Sequence, residues 1–171
     1  RPENLISNKR EFLTFRFVNV LRDKDESLTD FETPPDYGVF NARYTNRNPG
    51  IINFLSWFAD AQHAKDFSKL AFELEYRQLF ENNRQFNFRF FAGKFLRNKT
   101  TDYTDPNYFS FALDRPTDYL FDYGYLGRSE DSGIYSQQII IAEGGFKSFL
   151  PQQYRFANDW MTTVNTSVNL W

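Results

Sequence analysis

Between Lys69 and Arg97 the chain alternates apolar and polar residues one at a time. In the first arm Leu70, Phe72, Leu74 and Tyr76 share one side, and Lys69, Glu73, Glu75 and Arg77 share the other. A short turn, Glu81-Asn82-Asn83-Arg84, leads into a second arm that sets Phe86, Phe88, Phe90 and Ala92 against Asn87, Arg89 and Gly93. A period of two sends successive side chains to opposite faces of a strand. The stretch therefore predicts a β-hairpin with one apolar face and one ion-bearing face. A soluble core and a lipid bilayer both demand this pattern, and the rest of the chain has to decide between them.

Composition narrows the choice. The chain has 171 residues, enough for one domain of ordinary size. Aromatic residues make up 20 %, with 21 Phe and 10 Tyr, well above what an ordinary soluble domain carries. Aromatics favour strands, and they form the girdles of membrane barrels. A mean hydropathy of -0.62 does not oppose a barrel, because only every second strand residue meets lipid. The net charge of -2, with Lys and Arg dispersed, gives no footprint for nucleic acid. The absence of cysteine excludes a disulfide scaffold, a thiolate zinc site and thiol catalysis. No apolar run approaches the length of a transmembrane helix, and Arg1-Pro2-Glu3-Asn4 does not open a signal peptide.

Further strands are expected along the chain. Glu11 to Arg22 places Leu13, Phe15, Phe17 and Leu21 on one side, with Phe12, Val18 and Val20 breaking the polar side. Tyr37 to Thr45 alternates Phe40, Ala42 and Tyr44 with Asn41, Arg43 and Thr45, and Asn46 to Gly50 reads as a turn. Ile51 to Gln62 also fits helical spacing, but its neighbours favour a strand. Tyr108 to Leu113, Asp118 to Gly127 and Tyr135 to Ala142 are weaker candidates, and Gly144-Gly145 reads as a bulge or a turn. From Trp160 to Trp171, an apolar or β-branched face alternates with Met161, Thr163, Asn165, Ser167 and Asn169. Such small polar residues suit a wet lumen better than a soluble surface. Seven to nine strands are expected, many of about ten to thirteen residues; soluble strands average about five to six and membrane strands need about nine to eleven.

Chemistry-bearing residues are sparse. His63 lacks partners at metal-ligand spacing and reads as a loop or rim residue. Glu73, Glu75, Arg77 and Arg89 share one side of the hairpin; they suit a lumenal polar network better than an acid/base site, since no nucleophile lies nearby. Asp102, Asp105 and Asn107 do not have EF-hand spacing, and Ser136 and Ser148 have no His partner. Phe86, Phe88, Phe90 and Phe91, like Phe109 and Phe111, lack the interleaved basic residues of a base-stacking surface and read as packing or lipid contact. No catalytic, cofactor-binding or metal-ligating residue is assigned, and no cofactor is expected in this chain.

Five segments together carry a resemblance: Asp66 to Phe80, Glu81 to Arg97, Phe121 to Arg128, Gln137 to Phe149 and Ala157 to Trp171. They resemble the C-terminal outer-membrane β-barrel region of gluzincin-like (aminopeptidase-like) metallopeptidase proteins of Bacteroidetes, over most of Leu13 to Trp171. The resemblance implies an excerpt, with a peptidase region before Arg1 and further strands after Trp171. The zinc motif of such peptidases, H-E-x-x-H with a downstream Glu, is absent, so no catalytic residue carries over and enzymatic activity of the whole protein stays open.

The expected fold is all-β: an antiparallel transmembrane β-barrel, part of a larger barrel, with residues 1–171 forming a single barrel domain or a contiguous part of one. The expected role is a Gram-negative outer-membrane anchor or docking surface, with the lipid bilayer and other outer-membrane proteins as partners and no nucleic acid. The competing readings are an outer-membrane channel or transporter, and a soluble β-barrel that holds an apolar ligand.

Overall fold

The computed structural model describes residues 9–21, 36–80, 84–99, 109–113, 119–121, 142–145 and 155–169. Six of its strands form one antiparallel sheet: β1 (Arg10–Val20), β2 (Tyr37–Pro49), β3 (Asn53–Ala64), β4 (Phe67–Leu79), β5 (Gln85–Asn98) and β8 (Trp160–Val168). Between β5 and β8 in the chain, β6 (Phe111–Ala112) and β7 (Phe156–Ala157) pair as a second, minimal sheet. The order in the large sheet is β1-β2-β3-β4-β5-β8, so each strand lies beside its sequence neighbour except where the β5 to β8 connection departs and returns. The sheet is not closed into a barrel: among the described residues β1 pairs only with β2, and β8 only with β5.

The alternation fixes the register. A slip by one residue would turn every apolar side chain to the wrong face. Lys69 lies opposite Gln62 and Phe95, and Leu70 opposite Ala61 and Lys94. One irregularity occurs at Ser68/Lys69, where Ser68 pairs with Arg97 and Lys69 with Phe95, leaving Leu96 unopposed as a bulge.

Strand lengths of 9 to 14 residues match the expectation, with differences at the ends. β2 runs on to Pro49, through the segment that reads as a turn in sequence, because Asn46 and Asn48 pair across to Trp57 and Leu55. His63 falls inside β3 rather than in a loop, with Nδ1 at 2.8 Å from Ser68 Oγ. Of the candidate strand at Tyr108 to Leu113, Tyr108 lies outside the described residues, and within 109–113 only Phe111–Ala112 is strand. Within Asp118 to Gly127, residues 119–121 form a turn and bend, not a strand. Ala142 lies outside any strand, and the Gly144-Gly145 pair sits in a turn closed by the Gly145 N–H donating to Ala142 O at 3.0 Å. The remainder of Tyr135 to Ala142, with Asp102, Asp105, Asn107, Ser136 and Ser148, lies outside the described residues.

The two faces of the sheet differ. One carries Phe15, Phe17, Phe40, Tyr44, Trp57, Phe72, Phe90, Trp160 and Val164. Nothing among the described residues covers it: Phe15 is 64 % exposed, Trp160 64 % and Val164 57 %. Neighbouring rings touch side by side, Tyr44 to Trp57 at 5.2 Å, Trp57 to Phe72 at 6.0 Å and Phe72 to Phe90 at 6.4 Å between centroids. On the other, inner face the connection between β5 and β8 folds back. Phe109, Phe111, Tyr119 and Leu120 come to rest there on Val39, Phe67, Phe91, Phe95 and Met161, which makes the core. The core therefore lies between the large sheet and the return of the chain, to which β6 contributes Phe111.

Candidate functional site

The inner face holds most of the chemistry-bearing residues, because the same alternation that sends Phe72, Leu74 and Phe90 outward sends Asn41, Asp60, Lys69, Glu73 and Arg89 inward. Asp60 on β3 is buried and accepts hydrogen bonds from three side chains: Asn41 Nδ2 at 2.7 Å, Arg43 Nε at 2.8 Å and Gln62 Nε2 at 2.7 Å. Tyr119, arriving on the connection, donates its hydroxyl to Gln62 Oε1 at 2.5 Å. Its backbone carbonyl accepts from Tyr37 Oη at 3.0 Å. A buried carboxylate is costly unless it is paired and hydrogen-bonded, and Asp60 is both.

Lys69 on β4 is 3 % exposed. Its ammonium lies 4.8 Å from the Phe111 ring centroid, 5.2 Å from Tyr119 and 5.8 Å from Phe95, with Glu143 Oε1 at 3.9 Å. Ring faces attract a cation, and a desolvated one most strongly. Glu143 also accepts from the Ala112 N–H at 3.2 Å, so one carboxylate ties the turn at 142–145 to β6 and to the sheet.

Of the four residues expected to form a polar network, the structure joins three. Arg89 Nη2 donates to Glu73 Oε2 at 2.5 Å, and Arg89 Nε lies 3.9 Å from Glu75 Oε1. Arg77 is not with them: its guanidinium stacks over Phe54 at 5.1 Å, and Arg47 approaches the same ring at 5.4 Å. The turn at Gly144-Gly145 lies against this cluster. Asn165 Nδ2 donates to Gly144 O at 3.1 Å, and a Cβ at Gly145 would lie 2.4 Å from Arg89 Nη1. Gly145 has φ +73°, which a side chain also disfavours. A Cβ at Gly93 would strike the Phe111 ring at 2.5 Å, so this glycine is what lets Phe111 seat on β5.

Asp60, Tyr119 and Glu143 were not singled out from sequence, while Lys69 was read only as part of the ion-bearing side of the hairpin and Asn165 as part of the small polar face of the last strand. The available signal was the presence of Phe67, Phe91 and Phe95 on the ion-bearing side of the hairpin: aromatics there need something to cover them. The arrangement has the chemistry of a paired polar lining. Each inner acid named has a cation or amide against it, and the hydroxyl that meets an imidazole, Ser68 Oγ at 2.8 Å from His63 Nδ1, lies on the opposite, outward face. Among the described residues no group of three metal-ligating side chains gathers. No helix among them is long and apolar enough to cross a membrane.

No family model matches the chain, and no curated protein or solved structure matches it either.

Proposed function

We propose that this sheet is part of the wall of a transmembrane β-barrel in a Gram-negative outer membrane, where it serves as an anchor or docking platform. The apolar face, uncovered among the described residues, carries this reading. A soluble sheet of this size would bury such a face, and exposed apolar patches of this extent mark a membrane or protein contact.

The geometry of that face supports lipid as the contact. The row that begins at Phe15 runs through Ala42, Ala61 and Leu70 to Lys94 on β5. The apolar run of β5, Phe86 to Ala92, is centred not at Lys94 but at the level of Arg89. At ~3.3 Å per residue and ~4.8 Å per strand, the band climbs across the strands at roughly 40°. Strands of membrane barrels tilt by about 35–45° to the bilayer normal, which gives a level apolar band this oblique course. The segments joining β2 to β3 and β4 to β5 are short and lie at one end, while the long connections β1 to β2 and β5 to β8 lie at the other, together with the two-residue turn from β3 to β4.

An anchor is favoured over an open channel because the inner face is occupied by the core that Phe109, Phe111 and Tyr119 form on it. The resemblance to the barrel regions of metallopeptidase-like proteins is the ground for proposing that the wall belongs to a longer chain whose catalytic region lies elsewhere. The test is folding of the chain with and without detergent micelles, read by heat-modifiable gel migration and circular dichroism. Folding only in detergent is expected. Folding in plain buffer would overturn the membrane reading in favour of a soluble apolar-ligand carrier, and folding in neither would show that strands beyond these are needed.

A further inference from the structure

The apolar face is nearly free of charge, and where charge occurs it has a position. Among the described strand residues on that face the cations are Lys94 and Arg97, both on β5 and both at the border where the apolar band ends. Arg97 is turned back, donating to Ala64 O at 3.3 Å and to Lys65 O. Lys94 is exposed and has no ion pair among the described residues.

Beside Lys94 the surface is hollow. Leu70 and Phe72 of β4 stand along one side and Trp160 and Thr162 of β8 along the other, with Ala92 of β5 as the low position between them. The hollow arises because Ala92, small, follows Phe86, Phe88 and Phe90 on the outward side of β5. The strands that carry its two sides, β4 and β8, lie two strand spacings apart, about 9.6 Å between backbones, with β5 as the floor.

We propose that this trough binds one acyl chain of an anionic lipid whose phosphate is held by Lys94, with Trp160 beside it at the level of the headgroups. The inference rests on the membrane reading above and names a specific lipid contact within it. Charge complementarity selects the occupant: a lone exposed ammonium at the end of an apolar groove suits a molecule with an anionic head and a hydrocarbon tail. Trp is the side chain that settles at the boundary between the two.

The test uses the full chain folded in a neutral detergent, titrated with phosphatidylglycerol or phosphatidylcholine and read by native mass spectrometry. The expected result is one retained phosphatidylglycerol per chain, favoured about tenfold over phosphatidylcholine. Lys94→Glu should abolish the preference while leaving folding intact, since its side chain lies at the surface. Ala92→Leu should reduce retention of both lipids several-fold by filling the trough, with the headgroup preference kept. Folding in detergent with a preference that survives Lys94→Glu would overturn this proposal alone. Displacement of the lipid by inorganic phosphate at equal concentration would also overturn it, as a bare anion site. Folding in plain buffer would remove the membrane reading, and this proposal with it.

Discussion

Glu73 and Glu75 lie two residues apart on β4 and face the same side, yet their surroundings differ. Glu73 is 15 % exposed and holds Arg89 at 2.5 Å, whereas Glu75 is 49 % exposed and lies 3.9 Å from the same guanidinium. Removing one partner of a buried pair strands the other charge, at a cost of about 3–5 kcal/mol when fully buried. An exposed pair contributes only about 0–1 kcal/mol. Glu73→Ala should therefore destabilise the folded protein by about 2 kcal/mol and Glu75→Ala by less than about 0.5 kcal/mol, measured as the shift in urea midpoint of the refolded chain. Equal effects would show that the Arg89 contact does not matter. The alternation in the sequence made the shared face legible for Glu73, Glu75, Arg77 and Arg89, but not the row each occupies. Arg77 sits opposite Asn87 and Phe54, so it finds a ring, while Arg89 sits opposite Glu75 and diagonal to Glu73. Outside the site, Lys9 hydrogen-bonds Glu11 at 2.7 Å, which holds its ammonium above the usual lysine range; both groups are in water, so the pair is screened.

Strands were legible wherever one face is continuously apolar, because burial and lipid contact impose the same period of two. β4, β5 and β8 follow their alternation closely. β1 was read with Phe12, Val18 and Val20 out of pattern; they do face inward, and Val18 packs against the core. The segments that fold back onto the inner face were not legible as such, since 109–113 and 119–121 have no period and owe their place to aromatic contacts distant in sequence. The outward face of β8 supplies a test at this scale. Val164 is 57 % exposed, so lysine there would cost less than about 0.5 kcal/mol if the face met water. Against hydrocarbon the same change costs about 2–4 kcal/mol near the midplane, falling to about 0–1 kcal/mol at the border. Val164→Lys should thus lower folding stability in phospholipid vesicles by about 2 kcal/mol or more, while Asn53→Lys, at the turn end of β3, should change it little. Two small costs would mean that water, not lipid, meets this face.

At the scale of the molecule the decisive feature is the pair of edges. β1 and β8 each have a hydrogen-bonded neighbour on one side only among the described residues. In an antiparallel strand, the backbone groups of alternate residues point to opposite neighbours, so half of those in β1 point away from β2 and half of those in β8 away from β5. In water such groups are satisfied by solvent. In hydrocarbon each costs several kcal/mol, which is why spanning sheets close. The smallest membrane barrels have about eight strands, so on the membrane reading proposed above the six described strands would need further ones, from the rest of this chain, a longer protein or a second copy. Closure has a direct readout in residue-resolved amide exchange of the detergent-folded protein. If the wall is complete, every amide of β1 and β8 exchanges slowly, those pointing away from the known neighbour as slowly as those pointing towards it. If the sheet is a free ribbon, slow and fast amides alternate along both edge strands. That alternation would mean that the outward apolar face is met by something other than a closed barrel's lipid shell.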